Sequence, residues 1–452
     1  MELNSIKRVF LIGIGGIGMS GLARYFQHRG CLVAGYDKTQ TALTTQLEQE
    51  NIEIAYHDEI DYIPFDFNGP EDGTLIIYTP AIPANSLILS FFQDKNFSLK
   101  KRSEVLGIIS KGMFTIAVAG THGKTTTSSM IAHILRASGN DCSAFLGGIA
   151  TNYQTNVLFG SNEIMVVEAD EYDRSFLTLH PDIAVVTSMD ADHLDIYGDK
   201  NSMVQAFQTF ASQLKAGGKL ICKKGLPLQN GFTYAIETEA DAVAENINIK
   251  NGSYYFDFRN QETYIKDIQL GIAGIHNVEN AVAAIQTALF FGVDPQEIKA
   301  ALKFFLGIKR RFEYIINTDQ TIYIDDYAHH PEELRACITS VKELYPDKEL
   351  TVIFQPHLFT RTRDFADEFA EVLSKTDHLL LLDIYPAREL PIEGVNAEMI
   401  LERMHLSSNT KKYTVKEALD YVQQQKPELL LTVGAGDIDK MVGPLKAALQ
   451  DV

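Results

Sequence analysis

The chain has 452 residues, which at roughly 150 per domain implies about three domains, each large enough to bury its own core. Hydrophobic residues make up 45% and charged residues 22%, the usage of an ordinary globular protein, which excludes a disordered chain and a membrane bundle. A formal net charge of −19 repels nucleic acid and anionic lipid at long range, so neither is an expected partner, and an anionic ligand needs a local site.

Lys7-Arg8 ahead of the apolar run Val9 to Ala23 imitates a secretory signal, but glycines at 13, 15, 16, 18 and 21 interrupt it. No apolar stretch reaches the ~18 residues of a membrane span. Val9 to Ile12 reads as a strand, and Ile17, Met19, Leu22, Ala23 and Phe26 have helical spacing before Gly30. Between them Gly13-Ile14-Gly15-Gly16-Ile17-Gly18 is a GxGxxG loop, whose amides and following helix dipole can face a diphosphate. Leu32 to Tyr36 is a second strand, and Asp37 ends it where an acid can reach a ribose hydroxyl. By itself this unit fits a dinucleotide cofactor such as NAD or a tight turn.

Phe114 to Ala119 opens a second strand-loop-helix unit, continued by Met130, Ile131, Ile134 and Leu135 and closed by Gly139. Its loop is Gly120-Thr121-His122-Gly123-Lys124-Thr125-Thr126. The Gly-Lys-Thr ending supplies amides for phosphates, an ammonium on the γ-phosphate side and a hydroxyl for Mg²⁺. Val118 stands where the usual P-loop spacing has glycine, so the arch is shorter. Strands Ile164 to Val167 and Ile183 to Thr187 run into Glu168-Ala169-Asp170-Glu171 and into Asp190-Ala191-Asp192-His193, which a parallel sheet would bring toward the Lys124 loop. Oxygen donors with one histidine suit Mg²⁺. Asn277 and Asn280 open a helix running to Phe291, where capping is the simpler reading. The pattern breaks at Lys309-Arg310-Arg311, a solvated basic run or a phosphate clamp.

From Ile322 a third α/β unit begins, with strands Leu350 to Phe354, Leu379 to Leu382 and Leu429 to Val433. Asp325-Asp326-Tyr327-Ala328-His329-His330 leads to Pro331 at a helix start, and Gln355-Pro356-His357 leads to Arg361 and Arg363. Two polar strand-to-helix loops at the same edge of one sheet point to a site. The cysteines at 31, 142, 222 and 337 lack CxxC spacing, so a reducing cytoplasm is the expected setting.

Eight ordered motifs together resemble the Mur ligases: GIGGIGMSG at 13 to 21, AGTHGKTTT at 119 to 127, EADEYDRSFL at 168 to 177, DADHLDIYGD at 190 to 199, HNVENAVAA at 276 to 284, KRRFE at 309 to 313, DDYAHHPEE at 325 to 333 and FQPHLFTRTRD at 354 to 364. The resemblance covers essentially the whole chain. It implies an α/β enzyme of three domains: a Rossmann-like UDP-sugar domain over 1–110, a P-loop ATPase with a mostly parallel sheet over 111–312, and a Rossmann-like amino-acid domain over 313–452. The GIGGIGMSG start favours the member that adds L-alanine to UDP-N-acetylmuramate with ATP and Mg²⁺; the alternatives are a recycling ligase attaching a tripeptide and, in another class, an NAD-dependent oxidoreductase. A monomer or homodimer is expected.

Carried over by position, the resemblance implies a UDP-sugar site at Gly13, Gly15, Gly16, Ile17, Gly18, Met19, Ser20 and Asp37. ATP would meet residues 120–126, Asn277, Asn280, Arg311 and Asp326, and Thr125, Glu168 and His193 would hold Mg²⁺. Lys124, His193, Arg311 and His329 would be catalytic, and Tyr327, His329, His357 and Arg361 would line the amino-acid pocket. Leu358 stands where many relatives carry arginine.

Overall fold

The computed structural model describes residues 5–69, 72–83, 85–190, 197, 199–250, 252–387, 389–404 and 410–450. Short runs of branched and aromatic residues become strands, and the helix-spaced segments between them make the crossovers that parallel strands require. The first sheet has five strands, β1 (Arg8–Ile12), β2 (Leu32–Tyr36), β3 (Glu53–Ala55), β4 (Thr74–Tyr78) and β5 (Ser98–Lys101), in the order β3-β2-β1-β4-β5. All its pairings are parallel. Side chains alternate between its faces: Val9 and Leu11 enter one core, Phe10 and Ile12 another with Phe67 and Phe92.

The second sheet contains β6 (Phe114–Ala119), β7 (Ser143–Ala150), β8 (Thr155–Leu158), β9 (Ile164–Glu168), β10 (Ile183–Val186), β11 (Lys219–Lys223), β12 (Phe232–Ile236), β13 (Ala242–Lys250), β14 (Ser253–Arg259) and β15 (Tyr264–Gln269). Their order is β15-β14-β13-β12-β11-β10-β6-β9-β7-β8. Sequence patterning marks its centre but not β11 to β15: β14, for instance, alternates half-buried and buried positions and carries no continuous apolar run. The third sheet comprises β16 (Glu313–Asn317), β17 (Ile322–Asp326), β18 (Leu350–Phe354), β19 (His378–Leu381), β20 (Thr410–Lys412) and β21 (Leu429–Val433), ordered β16-β17-β21-β18-β19-β20. Only β16 pairs antiparallel in it.

The chain packs into two compact units. One holds the described residues up to Ile247 with Phe256–Gln269 and His276–Phe305; the other holds Asn248–Tyr255, Leu270–Ile275 and the described residues from Leu306 onward. In the first unit a single apolar core joins both sheets, with Leu11 and Phe26 beside Phe145, Val167 and Phe207. A polar link, buried at Arg24 and Asn156 and half-buried at Glu50, crosses the same region. Arg24, on the helix Ile17–His28, donates to both carboxylate oxygens of Glu50 at 2.7 and 2.9 Å and to Asn156 Oδ1 at 2.9 Å. Asn156, on β8, donates in turn to the Ile17 carbonyl at 2.5 Å. The start of the first glycine-loop helix is thereby tied to the second sheet.

All four cysteines are free thiols. Among the described residues no helix is long and apolar enough to cross a membrane.

Gly35 in β2 shows how tightly the first sheet is set: a Cβ there would lie 2.6 Å from the Leu11 carbonyl oxygen and 2.7 Å from the end of Ile14. Backbone cannot yield as a flexible side chain can. Gly35→Ala is expected to cost about 1–3 kcal/mol of stability, read as a lower urea midpoint. An unchanged midpoint would show that the sheet relaxes freely here.

Candidate active site

Three adjacent strands, β10, β6 and β9, end side by side, and their carboxyl ends carry the chemistry. The loop after β6 turns into the helix Lys124–Ala137, whose N-cap is Gly123 with no side-chain cap. The helix Ile17–His28 likewise starts from Gly16 without a side-chain cap, whereas Thr41, Ser86, Asp294 and Thr414 cap theirs. First-turn amides left uncapped are what an anion binds. Gly123 has φ +81°, and a Cβ there would stand 2.6 Å from Asn280 Oδ1, so conformation and space both require glycine.

That contact corrects the capping reading of Asn277 and Asn280. The helix begins earlier, at Ile275, so both asparagines lie inside its first turns. Asn280 donates to Asn277 Oδ1 at 3.2 Å, both are buried, and Asn280 packs on the phosphate loop.

The loop is pinned from β10 as well. Thr121 Oγ1 and Ser188 Oγ lie 2.9 Å apart, the His122 amide donates to Ser188 Oγ at 2.7 Å, and Thr187 donates to the His122 carbonyl. His122 itself is exposed, 3.9 Å from Asp190. Thr125 and Thr126 are buried on the first helical turn. Lys124 Nζ donates to the Gly120 carbonyl at 2.6 Å and to Glu171 Oε1 at 2.9 Å. Glu168 ends β9, and its Oε2 accepts from the Gly147 amide at 2.9 Å. His193 lies outside the described residues.

In the first glycine loop Asp37 serves the loop itself: Oδ2 accepts from the Gly15 amide at 2.8 Å and Oδ1 from the Thr39 amide at 3.0 Å. Met19 and Ser20 point inward, Ser20 donating to the Ile17 carbonyl at 2.8 Å. At Gly18 the missing side chain makes room for Arg102, whose Nη1 would be 2.7 Å from a Cβ. Arg102 in turn bonds Asp170 at 3.3 Å. Gly18, Arg102, Lys124, Glu168 and Glu171 line one cleft of about 350 Å³. Asp170 and Glu171, in the acid run expected near the Lys124 loop, line the same cleft; Arg102 was not marked by the sequence.

The C-terminal unit carries the other predicted residues. Arg310 is an internal brace, with its guanidinium 3.3 Å from Asp325, 2.6 Å from the Gly434 carbonyl and over the Tyr327 ring at 5.1 Å. Arg311 is exposed. Asp326 accepts from the Phe312 and Ala328 amides, both at 2.7 Å, and burial pushes its carboxyl up to about 6. The loops after β17 and β18, one strand apart, do converge: the His329 ring lies 5.3 Å from Tyr327 and 5.7 Å from His357. Arg361 Nη1 lies 3.3 Å from His357 Nδ1, and Tyr385, unmarked by the sequence, stacks on His357 at 5.9 Å. Leu358 sits at φ +72°, ψ 137°, with its amide bonded to the Tyr385 carbonyl at 3.0 Å and its carbonyl accepting from the Thr362 hydroxyl at 2.8 Å.

Three family models match in order: the Mur ligase family catalytic domain over residues 8–113, the Mur ligase middle domain over 118–288 and the Mur ligase glutamate ligase domain over 310–436. The chain is 48% identical over 451 residues to the UDP-N-acetylmuramate–L-alanine ligase of Flavobacterium johnsoniae, covering 100% of both chains. It is 47% identical over 450 residues to that of Christiangramia forsetii, covering 99% of both. Among solved structures, the UDP-N-acetylmuramate-alanine ligase of Thermotoga maritima is 26% identical with a TM-score of 0.82, over 97% of this chain and 98% of that one. In sequence and in architecture, across three α/β domains, this chain belongs to the Mur ligase family.

Proposed function

We propose that this protein joins L-alanine to the lactyl carboxylate of UDP-N-acetylmuramate at the expense of ATP. The observation that carries the reading is the shared cleft: the first glycine loop, suited to a diphosphate, opens onto the same space as Lys124 of the phosphate loop. An acceptor anchored by its diphosphate would therefore present its acid to the transferring phosphate. The names of the full-length relatives support the same substrates. The NAD reading leaves Lys124, Glu168 and the two C-terminal loops without a task. The free cysteines fit a reducing cytoplasm.

A carboxylate is a poor electrophile, so its oxygen first attacks the γ-phosphorus of ATP, giving an acyl phosphate and ADP. The alanine amine then attacks the acyl carbon, and the tetrahedral adduct expels phosphate. Lys124 offsets the repulsion among these anions in the partly enclosed cleft. Glu168 and Thr125 are hard oxygen donors beside the loop, a set that fits Mg²⁺ with phosphate and water completing the shell; among the described residues no cluster of three acids, histidines or cysteines would hold a metal alone. A bound Mg²⁺ would supply further charge neutralisation, and His193 joins this set by resemblance. Arg311, Asp326, Asn277 and Asn280 serve ATP in the same reading.

His329 and His357 are arranged to be neutral. His329 Nδ1 faces the Tyr327 carbonyl at 2.9 Å, so it carries the hydrogen and leaves Nε2 as a base for the ammonium of the amino acid. Burial lowers its pKa. A guanidinium cannot accept, so Arg361 donates to His357 Nδ1 and the hydrogen of His357 is on Nε2. Burial, with help from His329 and Arg361, lowers His357 to about 4. In this reading Arg361, a planar guanidinium with five N–H donors, also pairs with the carboxylate of the amino acid.

Phosphate release with UDP-N-acetylmuramate against alanine, glycine, serine and a muropeptide tripeptide tests the assignment; alanine is expected to give the highest kcat/KM, and a tripeptide preference would move the protein to the recycling branch. ¹⁸O placed in the lactyl carboxylate should appear in the released phosphate. Lys124→Ala should lose about 10²-fold or more in turnover. Arg361→Ala should raise KM for the amino acid far more than KM for ATP, and equal changes would move the pocket elsewhere. NMR of histidine-labelled protein should show the His357 imidazole titrating near 4. The folded state then binds fewer protons than the unfolded one, so the contribution of His357 to stability is full above about 6.5 and is lost as pH falls toward 4. A midpoint at or above 6.5 would contradict the neutral site.

A further inference from the structure

The reaction as derived gives Glu171 no task, yet its side chain is 2% exposed, and burying a carboxylate is unfavourable without a close cation. The cation is Lys124, with Nζ 2.9 Å from Oε1 and 2.7 Å from Oε2. Burial raises the Glu171 carboxyl while Lys124 pulls it back down. The residue is firmly held. Its carbonyl accepts from the Tyr197 hydroxyl at 2.7 Å and from the Arg174 amide at 3.0 Å. The Phe176 amide bonds the preceding carbonyl, of Asp170, at 2.9 Å, and the Phe176 ring is fully buried. A rigid turn therefore presents one carboxylate to the tip of a long, flexible side chain.

We infer that Glu171 is a positioning residue that acts through Lys124, fixing the ammonium on the cleft side of the phosphate loop before the substrates arrive. Lysine is a point charge on a four-carbon stem, and a free stem would sample many rotamers at each turnover. The Gly120 carbonyl, 2.6 Å away, holds the ammonium from the loop side, and Glu171 holds it from the turn that follows β9. Swinging Lys124 out of the cleft would strand a buried charge, so the pair keeps the cation where the acceptor acid and the γ-phosphate are brought together. This rests on the phosphate role of Lys124 proposed above.

The test is a double-mutant cycle of Glu171→Gln and Lys124→Ala, with kcat and both KM values measured and folding followed by thermal melting. Glu171→Gln is expected to lower kcat about 10-fold or more while KM for UDP-N-acetylmuramate stays within about twofold, and Glu171→Asp to recover part of the loss. In the Lys124→Ala background, adding Glu171→Gln should change turnover less than about twofold, because the group it acts through is already gone. A glutamate with only a structural role would lower turnover by the same factor in both backgrounds, and that result, or a wild-type kcat in Glu171→Gln, overturns the inference. If Glu171→Gln does not fold, Glu171→Asp, which keeps the charge but withdraws it, takes its place in the same cycle with the same criterion. Failure of the alanine assignment would show in the wild type, which would then make no alanine product; the cycle read as ATP consumption still decides the role of Glu171.

Discussion

The direction of the strands is the constraint on which everything else rests. Parallel pairing in the first unit sends the carboxyl ends of β1 and β2, and of β6, β9 and β10, to shared edges, and the polar loops of interest in that unit follow those ends. Had any of these strands run the other way, its acid or glycine loop would lie a strand length from its partners. Parallel order also places helices on both faces, so the central strands β1, β6, β9 and β10 are mostly buried.

Direction alone does not bring two sheets to one cleft. That is the work of the common apolar core around Phe26 and Phe145, and of the polar path from Glu50 through Arg24 and Asn156 to the Ile17 carbonyl. A buried charge network is a poor source of net stability but a strong source of specificity, because a displaced geometry leaves its members unpaired. Here it fixes the first turn of the helix Ile17–His28, whose N-terminus has no side-chain cap, relative to the sheet that leads into Lys124.

Much of this was legible in the residues. The glycine loops announce themselves because sequence-local rules govern them: a strand, a tight turn and a helix must follow within about a dozen residues. The two C-terminal polar loops were legible for the same reason. Arg102 and Asn156 were not, since each finds its partner 68 and 132 residues away respectively; the acid run holding Glu171 was legible near the Lys124 loop, but its pairing with Lys124, 47 residues away, was not. Asp37 illustrates a subtler case: its position at the end of β2 was readable, but its two oxygens bind amides of the loop and of Thr39. The asparagines near 277 looked like caps because the helix start was placed at the first strong capping residue, whereas the chain begins the helix at Ile275.

Leu358 carries a last consequence. A bulky residue at φ +72° occupies a sparsely populated backbone region at a cost of order 1–3 kcal/mol, and the surroundings enforce it by claiming both its amide and its carbonyl. That torsion directs the chain from His357 into the short helix Phe359–Asp364, which carries Arg361. The main-chain crank at this position, rather than the leucine side chain, is what aims His357 and Arg361 from its two sides.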